Sequence, residues 1–524
     1  MVATAHLKSA GHQSLWAKTA QLSAGRRLSE SAQADVCIVG GGIAGLTTAY
    51  LLTKQGKRVI VLDDGRLAAG MTQMTTAHLS NAIDDRFVNI ERWHGAEGAR
   101  LAAQSHAAAI DCIESIAREL NSDCAFRRVD GYLYRAPDDG AASDLLDEEL
   151  AAALRAGLAG AELVARAPIA SFDTGPAIRF PNQGRVHPLK YLASVAAAIE
   201  SGGGRLFVDS HVESVEGGTP ARIKVGEHTI AADHVVVATN SPINDWLAIH
   251  TKQAPYMTYV IGAKVPHGSV TDALYWDTLE AYHYVRLHPL EAGSGGSSVG
   301  AASGGYDLLI VGGEDHKSGQ ADDADQRHAR LEAWARERFP MMQEVELVWG
   351  GQVMETIDGL AFIGRNPMDK ENVYVVTGDS GMGITHGTIA GLLLTDLILG
   401  RENPWEKLYD PARKTLRAAG SFVKENLNVA RQYSDWLTGG EVESVDDIAA
   451  GSGAVLRRGL SKIAAYRDEQ GKLTQHSAVC PHLQCIVQWN PSESTWDCPC
   501  HGSRFQPDGQ VINGPANVNL GAVG

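Results

Sequence analysis

Asp35-Val-Cys-Ile-Val-Gly40-Gly41-Gly42-Ile-Ala-Gly45, followed by Arg58-Val-Ile-Val-Leu-Asp63, is the stretch on which the fold turns. Its apolar run ending in glycines reads as a short buried strand. Residues 43–55, closed by Gly56, read as a helix, and residues 58–63 as the next strand. Strand, glycine turn, helix and strand in that order make a βαβ unit with a parallel sheet. Gly40, Gly42 and Gly45 keep the spacing Gly-x-Gly-x-x-Gly. The first permits the tight turn, the second lets the backbone approach a pyrophosphate, and the third lets helix and strand pack closely. Asp63 ends the second strand, placed to accept a ribose hydroxyl. The motif predicts a dinucleotide and by itself leaves NAD and FAD open. No second copy follows, which speaks against a separate nicotinamide domain.

Outward from this unit, Ala-rich stretches over 98–120 and 144–156 read as helices, and a strand-rich middle follows. His234-Val-Val-Val-Ala238 has the continuous apolar character of a strand covered on both faces. A second strand group covers 256–265, 282–287 and 307–311, in which Tyr282, Tyr284 and Arg286 alternate onto one face. Residues 292–305 are almost all Gly, Ser and Ala and predict a flexible insertion. A charged helical stretch runs over 410–437 up to Gly439 and Gly440. The expected organisation is therefore an N-terminal extension (1–34), an α/β nucleotide-binding domain with an interleaved β-rich substrate domain (35–409), a helical linker (410–440) and a small all-β domain (441–524).

The chain has 524 residues, 44% hydrophobic and 21% charged, as expected of a globular enzyme of several compact units. Its 62 acidic against 46 basic residues give a net charge of −16, which disfavours nucleic acid and anionic membranes as partners. The longest apolar region, 388–399, is broken by Gly391, Thr395 and Asp396, too short for a span of about 20 residues. No export segment stands out in the first 34 residues, so a cytoplasmic protein is expected.

Cys480-Pro-His482-Leu-Gln-Cys485 and Cys498-Pro-Cys500-His501-Gly-Ser503-Arg-Phe505 close the chain with the ligand spacings Cys-x-His and Cys-x-x-His. Two loops, each offering one thiolate and one imidazole, suit a [2Fe-2S] cluster with two cysteines on one iron and two histidines on the other. Zinc is the competing ion, but zinc fingers usually pair cysteine with cysteine and histidine with histidine. The segment resembles the cluster-binding loops of the Rieske family, especially its cytochrome bc-type members. That resemblance implies Cys480, His482, Cys498 and His501 as ligands and a loop-tying disulfide between Cys485 and Cys500. It also implies that Ser503 bonds a cluster sulfur and that Gly514-Pro515-Ala516 covers the cluster. Phe505 departs from the pattern: high-potential members carry a tyrosine there, whose hydroxyl stabilises the reduced cluster. A lower potential is expected.

Val235-Val-Val-Ala238-Thr239-Asn240 and Tyr374-Val-Val-Thr-Gly378-Asp-Ser-Gly381-Met382-Gly383-Ile384-Thr385 resemble the DAO-type, amino-acid-oxidase-like FAD oxidoreductases, as does Asp358-Gly359-Leu-Ala-Phe-Ile-Gly364. The resemblance implies FAD rather than NAD, with Val212 near the adenine and the second glycine turn at the flavin ring. Met74 stands where some members carry a flavin-attaching histidine, so non-covalent FAD is expected, with Thr75 and Thr76 near it. It also places Tyr282, Tyr284 and Arg286 in the substrate roof, where a guanidinium would clamp a carboxylate; the alternative is that the tyrosines pack and Arg286 is a surface or structural residue. The Gly312-Gly-Glu314-Asp315-His316 turn would bring backbone close to the flavin.

Flavin accepts two electrons with a substrate hydride, whereas a Rieske cluster carries one. The pairing predicts a dehydrogenase acting on a small organic substrate, an amine or amino acid. Its electrons would leave singly through the cluster to an external acceptor. The alternative is a flavin oxidase whose Rieske domain is structural or redox-sensing.

Overall fold

The β-branched run of Ala32–Val39 pairs in parallel with Val59–Leu62 on one side and with His228–Val237 on the other. Arg205–Phe207 extends the sheet beyond Val59–Leu62, and Val373–Thr377 and antiparallel Phe362–Arg365 extend it beyond His228–Val237. Two helices that start at glycine turns, Ile43–Lys54 and Gly383–Ile398, cross in close contact on this sheet. A Cβ on Gly387 would lie 2.7 Å from Ile43 Cγ2, and one on Gly391 would lie 2.6 Å from Thr47 Cγ2. The apolar run read at 388–399 is therefore a buried helix between sheet and helix, which explains its all-round hydrophobicity. The computed structural model describes residues 11–22, 25–136, 144–244, 249–279, 281–289, 305–321, 323–367 and 369–523. Apart from Gly305, the insertion expected over 292–305 lies outside the described residues.

The second strand group forms a separate mixed sheet, whose centre is Val345–Thr356, Gln253–Pro266, Tyr306–Lys317, Tyr284–Pro289, Leu274–Asp277, Arg127–Tyr134 and Ala177–Arg185 in spatial order. Its strands come from chain segments far apart, interleaved with the nucleotide-binding sheet. The segment read as a turn at 312–316 lies inside the strand Tyr306–Lys317. Two glycines there leave room for a ring, since a Cβ on Gly312 would lie 2.1 Å from Tyr284 Cε2. The helix read at 98–120 belongs to Phe87–Glu119, bent at Gly95. Part of the expected N-terminal extension is integral to the core: Leu15–Thr19 is a helix capped by Ser14, with Trp16 fully buried.

The C-terminal domain has a three-stranded sheet, Ser452–Arg458, Ser461–Arg467 and Leu473–Ser477, and a four-stranded one, Gln488–Asn490, Thr495–Asp497, Arg504–Phe505 and Val511–Asn513. Both are antiparallel. Its core gathers Trp489, Trp496, Phe505 and the cysteines of both loops. The helix Ala419–Gln432 connects it to the larger unit.

Candidate active site and metal centre

A cleft of about 640 Å³ runs along the carboxyl ends of the parallel strands, the position open α/β sheets offer a ligand. Gly40 (φ +104°) could carry no side chain, because a Cβ would lie 2.3 Å from the Ala238 carbonyl oxygen. At Gly45 a Cβ would lie 1.9 Å from Gly40 O, so this glycine serves packing and does not line the cleft. Gly42 faces open space apart from Thr72 Oγ1 at 3.1 Å, leaving the helix N-terminus accessible to phosphate. Asp63 lines the cleft and accepts the amides of Gly41 (2.7 Å) and Gly65 (2.9 Å); burial raises its pKa to about 6. Thr75, Thr76, Val212, Ala238, Gly381, Met382, Gly383 and Ile384 also line the cleft, as expected of a dinucleotide seat. Gly378 does not: a Cβ there would lie 2.4 Å from Thr356 Cγ2, and its role is close packing of neighbouring strands.

The other end of the cleft lies under the mixed sheet. Tyr282 and Tyr284 line it, their ring centroids 5.4 Å apart, and the Tyr284 hydroxyl pairs with Thr258 Oγ1 at 2.6 Å. Arg286 corrects the expectation of a carboxylate clamp. It continues the alternation of the tyrosines, but its guanidinium stacks on Trp16 and donates to the carbonyls of Thr76 (3.1 Å) and Ala77 (2.5 Å), outside the cleft lining. The N-terminal helix covers the part of the sheet face that Arg286 occupies. Acidic side chains that sequence reasoning missed line this end instead: Asp84, Asp315, Glu355 and Asp379. Asp315 and Asp379 lie inside the 312–316 and 374–385 segments, where sequence reasoning assigned their side chains no role, and no local motif announces Asp84 or Glu355.

In the C-terminal domain the two loops face each other. His482 and His501 meet edge to face with centroids 5.1 Å apart, and the thiols of Cys480 and Cys498 are within hydrogen-bonding reach. All four residues are buried. Burial, then His250 and His482, hold His501 as neutral imidazole, the form that ligates metal, with its pKa down to about 3. Its Nδ1 is buried without a hydrogen-bond partner, an orphaned atom that fits ligation. The Ser503 hydroxyl bonds Cys480 and accepts the Ala516 amide at 2.9 Å, so the covering loop and the ligand loop are tied through one side chain. Cys485 and Cys500 form a disulfide with Cα atoms 6.4 Å apart, joining the two loops.

The cluster loops rest on the flavin-side domain. His250, 1% exposed, lies against both ligand histidines, with centroids 4.9 Å from His482 and 5.9 Å from His501. Gly502, next to the ligand His501, has φ +81°, and a Cβ on it would lie 2.6 Å from Pro255 Cβ and 2.8 Å from Gln352 Nε2. Gln352 lines the cleft, donates to Gly502 O at 3.0 Å and accepts from Asn513 Nδ2 at 2.7 Å. One buried side chain thus touches both cofactor regions. At the adenosine end Asn517 donates to the Val212 carbonyl at 2.8 Å, and 510–514 with Ala516 and Asn517 form part of the cleft wall. On its other side the first cluster loop is held by the linker, where Tyr433 donates to Leu483 O (2.7 Å) and Trp436 to Gln484 O (2.9 Å). His250 and Gln352 carry no sequence signal, since only the tertiary contact gives them a role.

Comparison with known proteins agrees with this layout. Residues 35–397 match the DAO family of FAD dependent oxidoreductases, and residues 439–523 match the Rieske [2Fe-2S] domain. The chain is 30% identical to the Rieske 2Fe-2S iron-sulfur protein YhfW of Bacillus subtilis (strain 168), over 98% of each chain. It is 26% identical to gamma-glutamylputrescine oxidoreductase of Escherichia coli (strain K12), covering 71% of this chain and 85% of that one. Glycine oxidase from Geobacillus kaustophilus shares the fold of the larger part, with a TM-score of 0.56 at 18% identity over 73% of this chain and 99% of that one. The glycine-lined cleft fits FAD and the two cysteine-histidine loops fit a [2Fe-2S] cluster, so the chain belongs to the DAO family of FAD-dependent oxidoreductases and carries a C-terminal Rieske domain.

Proposed function

We propose that the protein is a dehydrogenase that oxidises a small amine or amino acid at the flavin and sends the electrons singly through its own cluster to an external acceptor. The observation that carries this reading is the docking of the cluster loops: His250 packs on both ligand histidines, and Gln352 spans from Gly502 to the cleft. Bound flavin would take up two electrons with a substrate hydride, and the bound cluster would relay them one at a time. The protein's own residues do the rest. Gly40, Gly42 and Asp63 seat the dinucleotide, and the roof of Tyr282 and Tyr284 bounds the substrate end. The buried contact of Gly502 with Gln352 and Pro255 would hold the two bound centres at a set separation, as electron transfer over a gap requires. Cluster-site residues that served only structure would not need to face the cleft domain. The expected acceptor is a one-electron carrier.

The test is an anaerobic titration of holoprotein with substrate, read by visible absorbance and electron spin resonance. The reading requires that substrate bleach the flavin and that the Rieske signal of the reduced cluster then appear. Full flavin bleaching with a cluster that stays oxidised would favour an oxidase with a structural Rieske domain.

A further inference from the structure

We propose that the substrate end of the cleft recognises its substrate as an ammonium cation, held by Asp315 and Asp84 between the rings of Tyr282 and Tyr284, and offers no seat to a carboxylate. The proposal rests on the oxidoreductase reading above and narrows its substrate class.

The Tyr282 and Thr258 hydroxyls are already committed to the carboxylates, and that of Tyr284 to Thr258. Tyr282 bonds Asp84, and Thr258, itself paired with Tyr284 at 2.6 Å, bonds Asp315. These bonds hold both carboxylates near two aromatic rings, surroundings in which an alkylammonium gains ion pairing and can gain cation–π attraction. Independently of this grouping, Asp315 Oδ1 is shut off from solvent at the cleft wall and has no hydrogen-bond partner. A buried carboxylate oxygen left in that state can take a donor that arrives with the ligand.

The surrounding cations are committed elsewhere. Among the described residues, the single Lys or Arg in the cleft lining is Arg66, which lies beside Asp63 and Asp64 at the dinucleotide end. Arg286 lies outside the cleft lining and donates through Nη1 to Thr76 O and Ala77 O, its Nη2 buried without a partner; Arg86 donates to Thr278 O, and Arg327 donates to the main-chain oxygens of Glu314 and Asp315. An incoming carboxylate would instead meet Asp84, Asp315, Glu355 and Asp379. Burial, then the neighbouring Asp84, push Asp315 up to about 7, and burial pushes Asp84 up to about 6. An entering cation would offset that crowding of like charge.

The experiment uses two probes of one shape, tert-butylammonium and pivalate. Neither has a hydrogen on the carbon next to its charged group, so tert-butylammonium cannot be oxidised as an amine. Binding to the FAD-loaded holoprotein is read by perturbation of the flavin spectrum and by calorimetry. Tert-butylammonium should bind and pivalate should not. Asp315→Asn should weaken the cation about 30-fold, the loss of one charge-assisted hydrogen bond. Tyr284→Phe, which keeps the ring, should weaken it far less, and Arg286→Met should leave it unchanged. Binding of pivalate, binding of neither probe, or equal affinity in Asp315→Asn overturns the proposal. Flavin content and thermal melting confirm that each variant is folded. The cluster takes no part in this measurement. Probe binding together with full flavin reduction by an oxidisable amine, but no cluster reduction by that amine, would therefore sink the electron-path reading alone, and cluster reduction driven by an amino acid but not by its amine would sink this one alone.

Discussion

In the proposed function the flavin cleft and the cluster cradle would handle the same electrons under opposite constraints on access. The cleft must admit an organic molecule, and it is a space of about 640 Å³ with ionisable groups along its wall. The cradle must admit nothing: Cys480, His482, Cys498 and His501 are all buried, both histidine rings pack against His250, and Gln352 bonds the neighbouring Gly502 O. On that reading electrons would cross a packed interface where molecules cannot. The contrast teaches that the interface between the two halves, rather than either site alone, defines what the chain can do. It also means the halves should be separable by mutation.

The largest effect is expected from Cys498→Ser, which removes a thiolate ligand. Iron content and the Rieske spin signal should be lost and reduction of one-electron acceptors should fall to background, while substrate still bleaches the flavin anaerobically. Gly502→Val tests the interface with both sites left in place. Its side chain would press on Pro255 and Gln352, an overpacking cost of about 1–3 kcal/mol, or roughly a tenfold to hundredfold loss of the docked population. Stopped-flow absorbance should show slower flavin-to-cluster transfer with unchanged iron and FAD content. Retained speed would mean that the docked arrangement is not the conducting one.

Arg286→Met sharpens the contrast on the flavin side, because it separates a buried structural cation from a substrate ligand. Its bonds to Thr76 O and Ala77 O would be lost at a cost of about 2 kcal/mol, seen as a lower melting temperature with an unchanged KM. A large rise in KM would restore the clamp reading. The smallest effect is expected from Phe505→Tyr, which adds a donor beside the cluster loops. Potentiometry should show a higher midpoint potential, because a hydrogen bond to sulfur favours the reduced, more negative state; no rise would mean that residue 505 does not reach a ligand sulfur.

What was legible in the sequence follows from range. Gly40, Gly42 and Gly45 act within one turn, and Cys480 with His482, or Cys498 with His501, within one loop, so their spacing carries their role. Cys485 and Cys500, named by family resemblance, do join in the disulfide. Arg286 shows the limit of periodicity: strand alternation placed it on the same face as Tyr284 and gave no hint that Trp16, from the other end of the domain, covers that position. Gly378 likewise has the neighbourhood of a cofactor turn and the function of a packing contact against Thr356. His250 and Gln352 were illegible, and Asp315 was read only as part of a turn near the flavin, since the role of each side chain comes from a partner in another segment.

The central claim is that the cluster lies in the catalytic electron path. Rapid anaerobic mixing of oxidised holoprotein with an amine substrate, followed at flavin and cluster wavelengths, tests it most directly. The account predicts flavin reduction first and cluster reduction next, at a rate no slower than turnover with a one-electron acceptor. A cluster that stays oxidised through many turnovers, or that is reduced more slowly than turnover, would contradict it.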